Sequence, residues 1–181
     1  MIQPMDDERR IFSELVENYQ KKVFQVAVGM LGNKDEALDI TQDVFVKALR
    51  SYKKFRFNAS PETWLIRITI NRVRDYLRKE KLRRLLFLRP GNISDKQINT
   101  MADSEQSPQE ILKEKQLQTH VRAFQDGLKG REKEVFSLRF GNDYTIKEIS
   151  ELTGISQSSI KTYLYRALDK AQNYLADWKA T

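Results

Sequence analysis

Cysteine is absent from this 181-residue chain, and His120 is its single histidine. Zinc centres built on Cys and His, thiol chemistry and a Ser/His relay therefore lose most of their material. His120 sits among Gln118, Thr119 and Arg122, the setting of a surface histidine and not of a catalytic one. There is no Gly-rich phosphate loop either, so the expectation is no catalytic site, no metal and no cofactor. Proline and glycine are scarce, at 4 and 7 residues, which leaves few turn clusters and favours helix. No apolar run approaches the roughly 18 residues of a membrane span. The N-terminus, Met-Ile-Gln-Pro-Met-Asp-Asp-Glu, lacks a basic segment followed by an apolar one. These absences predict no membrane insertion, no secretion signal and a cytoplasmic, reducing compartment.

What is present is charge. The net charge is +7 and the pI about 9.5, a balance that suits an anionic partner. The charge is also polarised. Residues 1–46 carry nine acidic and five basic side chains, whereas residues 72–84 hold seven basic and two acidic ones. Between Ile11 and Leu31, apolar residues recur in steps of three and four from Phe12 to Met30, which predicts an amphipathic helix. Gly32-Asn33 stops it, and Asn33 with Glu36 reads as an N-cap and its capping-box partner. A second helix, about Lys34 to Tyr52, turns Ala37, Ile40, Val44, Phe45, Ala48 and Leu49 inward. Its opposite face presents Asp39, Gln42 and Asp43 as one patch. With no histidine and no third ligand beside them, these carboxylates fit a protein-docking patch or plain surface better than a catalytic pair.

The stretch from Phe55 to Arg84 combines an aromatic turn with a basic rod. Ser60-Pro61 is a helix-start signal. Beyond it Trp64, Leu65, Ile68, Val73, Tyr76 and Leu77 are spaced to face a core. The other faces carry Arg72, Arg74, Arg78, Lys79, Lys81, Arg83 and Arg84. Such a helix, about 36 Å long at 1.5 Å per residue, spans several phosphates, and the turn at its start offers aromatic faces to unpaired bases. A solvated basic helix with Trp64 in the core is the plainer alternative.

Periodicity is lost from Leu85 to Ser107, and breaker residues cluster there, which marks a linker between two domains. Leu85 to Leu88 are its apolar exception. Ser107-Pro108 restarts a helix that Leu117, Val121, Phe124 and Leu128 continue. After a short helix from about Arg131 to Phe140, Thr145-Ile-Lys-Glu148 forms a capping box, with Ile146, Ile149 and Leu152 inward. Thr153-Gly154-Ile155-Ser156 is a tight turn, with Ile155 plugging the core. Ser156 then caps a helix whose inward residues are Ile160, Leu164, Leu168, Ala171 and Leu175. This is the helix-turn-helix pattern. Outward lie Gln157, Ser158, Ser159, Lys161, Thr162, Tyr165 and Arg166, short hydrogen-bonding groups followed by longer basic and aromatic ones, as suits a helix N-terminus in a major groove.

Together these residues resemble the small two-domain bacterial sigma factors of the extracytoplasmic-function (ECF) group. The resemblance rests on Ala37-Leu38-Asp39-Ile40-Thr41-Gln42-Asp43-Val44-Phe45, on Thr63-Trp64-Leu65-Ile66-Arg67-Ile68 with Asn71, Asp75 and Arg78, and on Gly154-Ile155-Ser156 with Ile160 to Ala167. It implies an all-α fold: two small helical domains, residues 1–84 and 108–181, joined by a flexible linker over 85–107. It implies an alternative sigma factor that binds core RNA polymerase and directs promoter recognition and strand opening. On this resemblance Asp39, Gln42 and Asp43 dock the polymerase. Phe57, Asn58, Ala59, Ser60, Trp64, Arg67, Asn71, Arg74, Arg78 and Lys79 bind the minus-ten element. Gln157, Ser158, Ser159, Lys161, Thr162, Tyr165 and Arg166 read the minus-thirty-five element. Core polymerase and promoter DNA are the implied partners. An anti-sigma factor is a further one, for which no residue of the sequence is itself evidence. The rival is a helix-turn-helix regulator that binds duplex DNA on its own, which leaves the aromatic turn and basic helix without a task.

Overall fold

The computed structural model describes residues 4–52, 60–87, 119–121 and 123–180, and all their regular structure is helical. Helices α1 (Pro4–Leu31), α2 (Lys34–Ser51) and α3 (Pro61–Phe87) pack on one another as an N-terminal unit. Helical stretches at 119–121 and 123–127 precede α4 (Arg131–Phe140), α5 (Ile146–Thr153) and α6 (Gln157–Ala180), which form the C-terminal unit. Phe57, Asn58 and Ala59, the linker beyond Phe87, the restart at Ser107-Pro108 and Leu117 lie outside the described residues. Helix α3 runs to Phe87, so the first residues assigned to the linker, from Leu85, are helical.

The caps sit where the sequence puts them. Asn33 accepts from the backbone N–H of Asp35 and Glu36, and Ser60 from that of Thr63 at 3.1 Å. Thr145 and Glu148 form a full reciprocal capping box, and Ser156 accepts from the N–H of Ser159. Each such cap is worth about 1 kcal/mol. Gly154 closes α5 at φ +72°, in the left-handed region that glycine enters without a Cβ penalty. One expected pairing differs. Glu36 hydrogen-bonds the Tyr76 hydroxyl instead of completing a box with Asn33; burial, then this bond, pushes the Tyr76 phenol up to about 12.

Val23, Val26, Ala27, Met30, Ala37, Ile40, Val44, Ala48, Leu65 and Val73 are buried in the N-terminal unit, and Val135, Leu138, Ile149, Ile160 and Leu164 in the C-terminal one. Each fully buried Val, Leu, Ile or Met among them contributes about 1.5–3 kcal/mol. The two sets are one continuous core, because α1 packs on α4 and α3 on α5. From Leu65 to Ile70 every residue of α3 except Arg67 is buried. A helix buried nearly all round has neighbours on more than one face, and here they are α1 and α2 on one hand and α5 on the other.

Five inward assignments are corrected. Val121, Leu49, Leu77, Leu168 and Leu175 are 40% or more exposed. Each lies at the edge of its helix's apolar stripe, where a spacing of three or four does not say how far the partner helix reaches.

Candidate nucleic-acid and docking surfaces

Three surfaces carry the candidate residues. The first is the outer face of α2, where Asp39, Gln42 and Asp43 are all exposed. Asp43 is also ion-paired with Arg72 of α3, so the patch is one bare carboxylate, one amide and one carboxylate shared with a cation. Leu38, Val46 and Leu49 are exposed beside them at about half their full areas. Helical spacing puts 39, 42, 46 and 49 on one side. The exposed Leu49, expected in the core, thus extends this patch with apolar surface. A mixed apolar and acidic face is chemistry for a protein partner more than for DNA.

The second surface lies along α3. Ser60, Trp64, Arg67, Asn71, Arg74 and Arg78 follow one another in steps of four and three, a single stripe along the helix. Ser60 is exposed at the cap, and its hydroxyl lies 2.9 Å from that of Thr63. Trp64 is half-buried and packs against the core. Asn71, Arg78 and Lys79 are exposed, with Arg78 3.3 Å from Asp75.

The stripe does not face open solvent throughout. Arg74 donates from Nε and Nη2 to the two carboxylate oxygens of Glu134 on α4, at 3.0 and 2.6 Å, and from Nη2 to the Thr153 carbonyl at 3.2 Å. Arg67 donates to the Glu151 carbonyl at 3.1 Å. Arg131 also reaches Glu134, at 3.1 Å, so two guanidiniums share a carboxylate that is 5% exposed. That doubled pairing offsets the desolvation of the carboxylate. Arg74, read from the sequence as an outward cation, is therefore turned onto the C-terminal unit.

The same junction continues through Tyr144. Its hydroxyl donates to Glu62 at 3.3 Å, and the Lys22 ammonium lies 4.8 Å over its ring. Burial, then the Glu62 charge, pushes the Tyr144 phenol up. Lys22 also donates to the Asn142 carbonyl, at 3.2 Å.

The third surface is the N-terminal part of α6. Gln157, Ser158, Lys161, Thr162, Tyr165 and Arg166 are exposed and Ser159 half-buried. Tyr165 is 72% exposed, an aromatic with no packing task in this fold. Ile160, Leu164 and Ala167 are buried beneath, and Ile155 plugs against the same core. The second helix of the helix-turn-helix thus shows its polar first turns outward. His120 is half-buried and 3.0 Å from the Tyr174 hydroxyl. Among the described residues no group of acidic, His or Cys side chains is arranged to hold a metal, and no helix is long and apolar enough to cross a membrane.

Comparison with known proteins agrees with both units. Residues 15–83 match the model of Sigma-70 region 2, and residues 126–170 that of Sigma-70, region 4. The chain is 29% identical over 153 residues to the RNA polymerase sigma factor SigV of Bacillus subtilis, covering 84% of each chain. To the ECF RNA polymerase sigma factor SigW of the same organism it is 26% identical over 167 residues, covering 92% of this chain and 89% of the relative. Among solved structures, the sigma factor RpoE of Bartonella quintana, crystallised with the anti-sigma factor NepR, shares the fold. Its TM-score is 0.70 at 16% identity, over 92% of this chain and 98% of that one. CnrH, in complex with the cytosolic domain of CnrY, gives 0.65 at 21% identity, over 93% and 90%. The two matched regions, in this order on one all-helical chain, make it a member of the extracytoplasmic-function sigma factors, which bind core RNA polymerase and direct it to promoters.

Proposed function

We propose that the three surfaces divide the work of an alternative sigma factor among named residues. Asp39, Gln42 and Asp43, with the apolar rim of Leu38, Val46 and Leu49, dock core RNA polymerase. Phe57, Asn58, Ala59 and Ser60, with Trp64 beside them, take up a base extruded from the minus-ten element. Arg67, Asn71, Arg74, Arg78 and Lys79 hold the strand's backbone. Gln157, Ser158, Ser159, Lys161, Thr162, Tyr165 and Arg166 read the minus-thirty-five duplex. Residues 1–84 and 108–181 act as separate promoter-binding units, with 85–107 as the connector.

The observation that carries this reading is the α3 stripe. A capped start, an indole and four hydrogen-bonding or cationic side chains lie in line on one helix. Extruding a base costs a few kcal/mol, which stacking and a fitted pocket offset. Cations further along then fix the strand without reading it. The chain itself does no covalent chemistry, and it works in the cytoplasm, where it meets the polymerase. An anti-sigma factor is a partner of the kind with which the Bartonella quintana relative was crystallised. Run-off transcription with core polymerase and no other sigma factor, on a promoter library, tests the reading. Discrete starts that depend on this chain are expected; a duplex-binding regulator gives none.

A further inference from the structure

We infer that the cavity between the end of α1, the middle of α3 and the start of α4 is a binding site for a small phosphorylated ligand of the class of a purine mononucleotide. The site goes beyond the division of labour proposed above. The cavity holds about 280 Å³ and is open to solvent. Ligand pockets commonly hold about 300–1,000 Å³, so this one suits a ligand no larger than a mononucleotide.

Its walls are of two kinds. Met30 and Leu77 are apolar, and Arg74, Arg78, Arg131 and Lys133 are cationic. Leu77 is 44% exposed although helical spacing turns it toward the core, and the cavity is what it faces. The charge is not balanced from within. Among the described residues Glu134 is the one acid in the lining, and Arg74 and Arg131 share it, so this trio keeps one positive charge without a counter-ion. Arg74 and Glu134 are only 23% and 6% exposed at their side chains, where solvent screens that charge less than it does at the surface. Lys133 and Arg78 pair with Asp126 and Asp75, whose side chains are 63% and 44% exposed. Exchanging such exposed partners for a phosphate costs little, and a phosphate offers several anionic oxygens to guanidinium forks at once.

A bare phosphate would leave Met30 and Leu77 unused. A purine carried on the phosphate would cover them, with the methionine sulfur as a soft contact for an aromatic ring and the long side chain of Arg78 able to stack on its face. The frame around the cavity is close-packed. Helix α1 meets α4 at Gly29, where a Cβ would come within 3.0 Å of the Ser137 hydroxyl. At the mouth, a Cβ on Gly130 would meet no atom within 4 Å, so the turn before α4 borders open space. Arg74 and Arg78 are also among the cations proposed for the melted strand, so a bound nucleotide would compete with that strand for them.

The test uses the full chain with isotope-labelled methionine methyl groups, read by NMR. The chain has 4 methionines, one of which, Met30, lines the cavity, and Met30→Leu identifies its signal. Guanosine monophosphate is the probe, with guanosine and inorganic phosphate as its two halves. A saturable shift of the Met30 signal is expected with the nucleotide, at a midpoint about tenfold below that of either half. Arg131→Gln should raise the midpoint about tenfold through the lost charged hydrogen bonds. Leu77→Glu, at an exposed position, sets a carboxylate against the phosphate and should abolish the shift while thermal unfolding stays near that of the parent. The absence of any saturable Met30 shift would overturn the site. Equal midpoints for inorganic phosphate and the nucleotide would overturn the nucleotide class. A midpoint that neither Arg131→Gln nor Leu77→Glu moves would place the binding elsewhere on the basic surface and overturn the assignment to this cavity. No polymerase or DNA enters the measurement. A failed run-off assay therefore leaves the site standing, and a silent Met30 leaves the sigma factor reading standing.

Discussion

Helices α3 and α6 carry similar chemistry and differ in what covers them. Both start at a serine cap, both put hydroxyl, amide and basic side chains on one side, and both bury aliphatic residues on the other. Yet Arg67 and Arg74 of α3 are engaged by α4 and α5, whereas Lys161, Thr162, Tyr165 and Arg166 of α6 are bare. Composition alone therefore does not make a nucleic-acid surface available; the neighbour decides. A recognition helix that reads intact duplex is usable as it stands. The surface proposed for melted strand has no use before the polymerase is in place, and here two of its cations, Arg67 and Arg74, are engaged by the C-terminal unit while Asn71, Arg78 and Lys79 stay exposed.

The largest effect should come from the other bare surface, α2. Reversing Asp39 and Asp43 to Arg should weaken core-polymerase binding by roughly 100-fold, the scale of a central interfacial charge. Thermal unfolding should move little, because Asp39 and Asp43 are exposed and a pair with one exposed partner, Asp43–Arg72, is worth about 1 kcal/mol. Unchanged polymerase affinity in a native-like double variant would remove α2 from the docking surface.

Next in size is a direct contrast of the two DNA faces. In the free chain, Lys161→Ala with Arg166→Ala should weaken duplex binding about tenfold and flatten its salt dependence by about two counterions. Arg67→Ala with Arg74→Ala should leave free-chain duplex binding nearly intact. Both double variants should lower transcription once polymerase is present. Equal losses from both pairs in the free chain would erase the difference between the helices.

The N-terminal helix pattern, the caps and the helix-turn-helix were legible because they are local. Asn33, Ser60, Thr145 and Ser156 cap through neighbours two or three residues away, and Gly154 turns by its own φ. What was not legible is mutual. Arg74 and Glu134 are 60 positions apart, and Lys22 and Asn142 are 120. No spacing rule couples such residues, so Arg74 read as outward when it is turned onto α4. Two traces of the contact were nonetheless on the surface of the sequence. One is Gly29, in the last turn of a strongly periodic helix. The other is the run Leu65-Ile66-Arg67-Ile68-Thr69-Ile70, too apolar all round for a helix with a single buried face.

A smaller effect separates the turn of the helix-turn-helix from the helices it joins. Gly154→Ala forces a Cβ into a left-handed position at φ +72° and should cost about 1–2 kcal/mol of the C-terminal unit's stability. Thr145→Ala should cost about 1 kcal/mol through the lost cap. Urea unfolding followed at the C-terminal unit checks both. A Gly154→Ala variant as stable as the parent would mean the turn relaxes into another conformation.

The smallest effect is a pH dependence at the start of α5. Glu148 accepts from the Thr145 backbone N–H at 2.8 Å, and its carboxylate oxygen lies 2.7 Å from the Thr145 hydroxyl. Those bonds, the backbone one first, hold its carboxyl below the ordinary value of 4.5 against a small opposing effect of burial, and the charge of Lys22 adds to them. A folded value below the unfolded one means the charged form is favoured by folding. The stabilisation is then complete above the ordinary carboxylate range and is lost as pH falls through the depressed folded value. Glu148 is exposed, so solvent keeps the effect small. Glu148→Gln retains an acceptor without the charge, and its deficit in urea midpoint against the parent should shrink steadily once pH drops below 4.5. Lys22 belongs to α1, which ties this titration to the contrast between the covered and bare faces. In the Lys22→Ala background that contribution is removed, and the same deficit should be smaller at neutral pH and vanish at a higher pH. A deficit that stays constant down to strongly acid pH would place the stabilisation in helix propensity at position 148 and not in its charge.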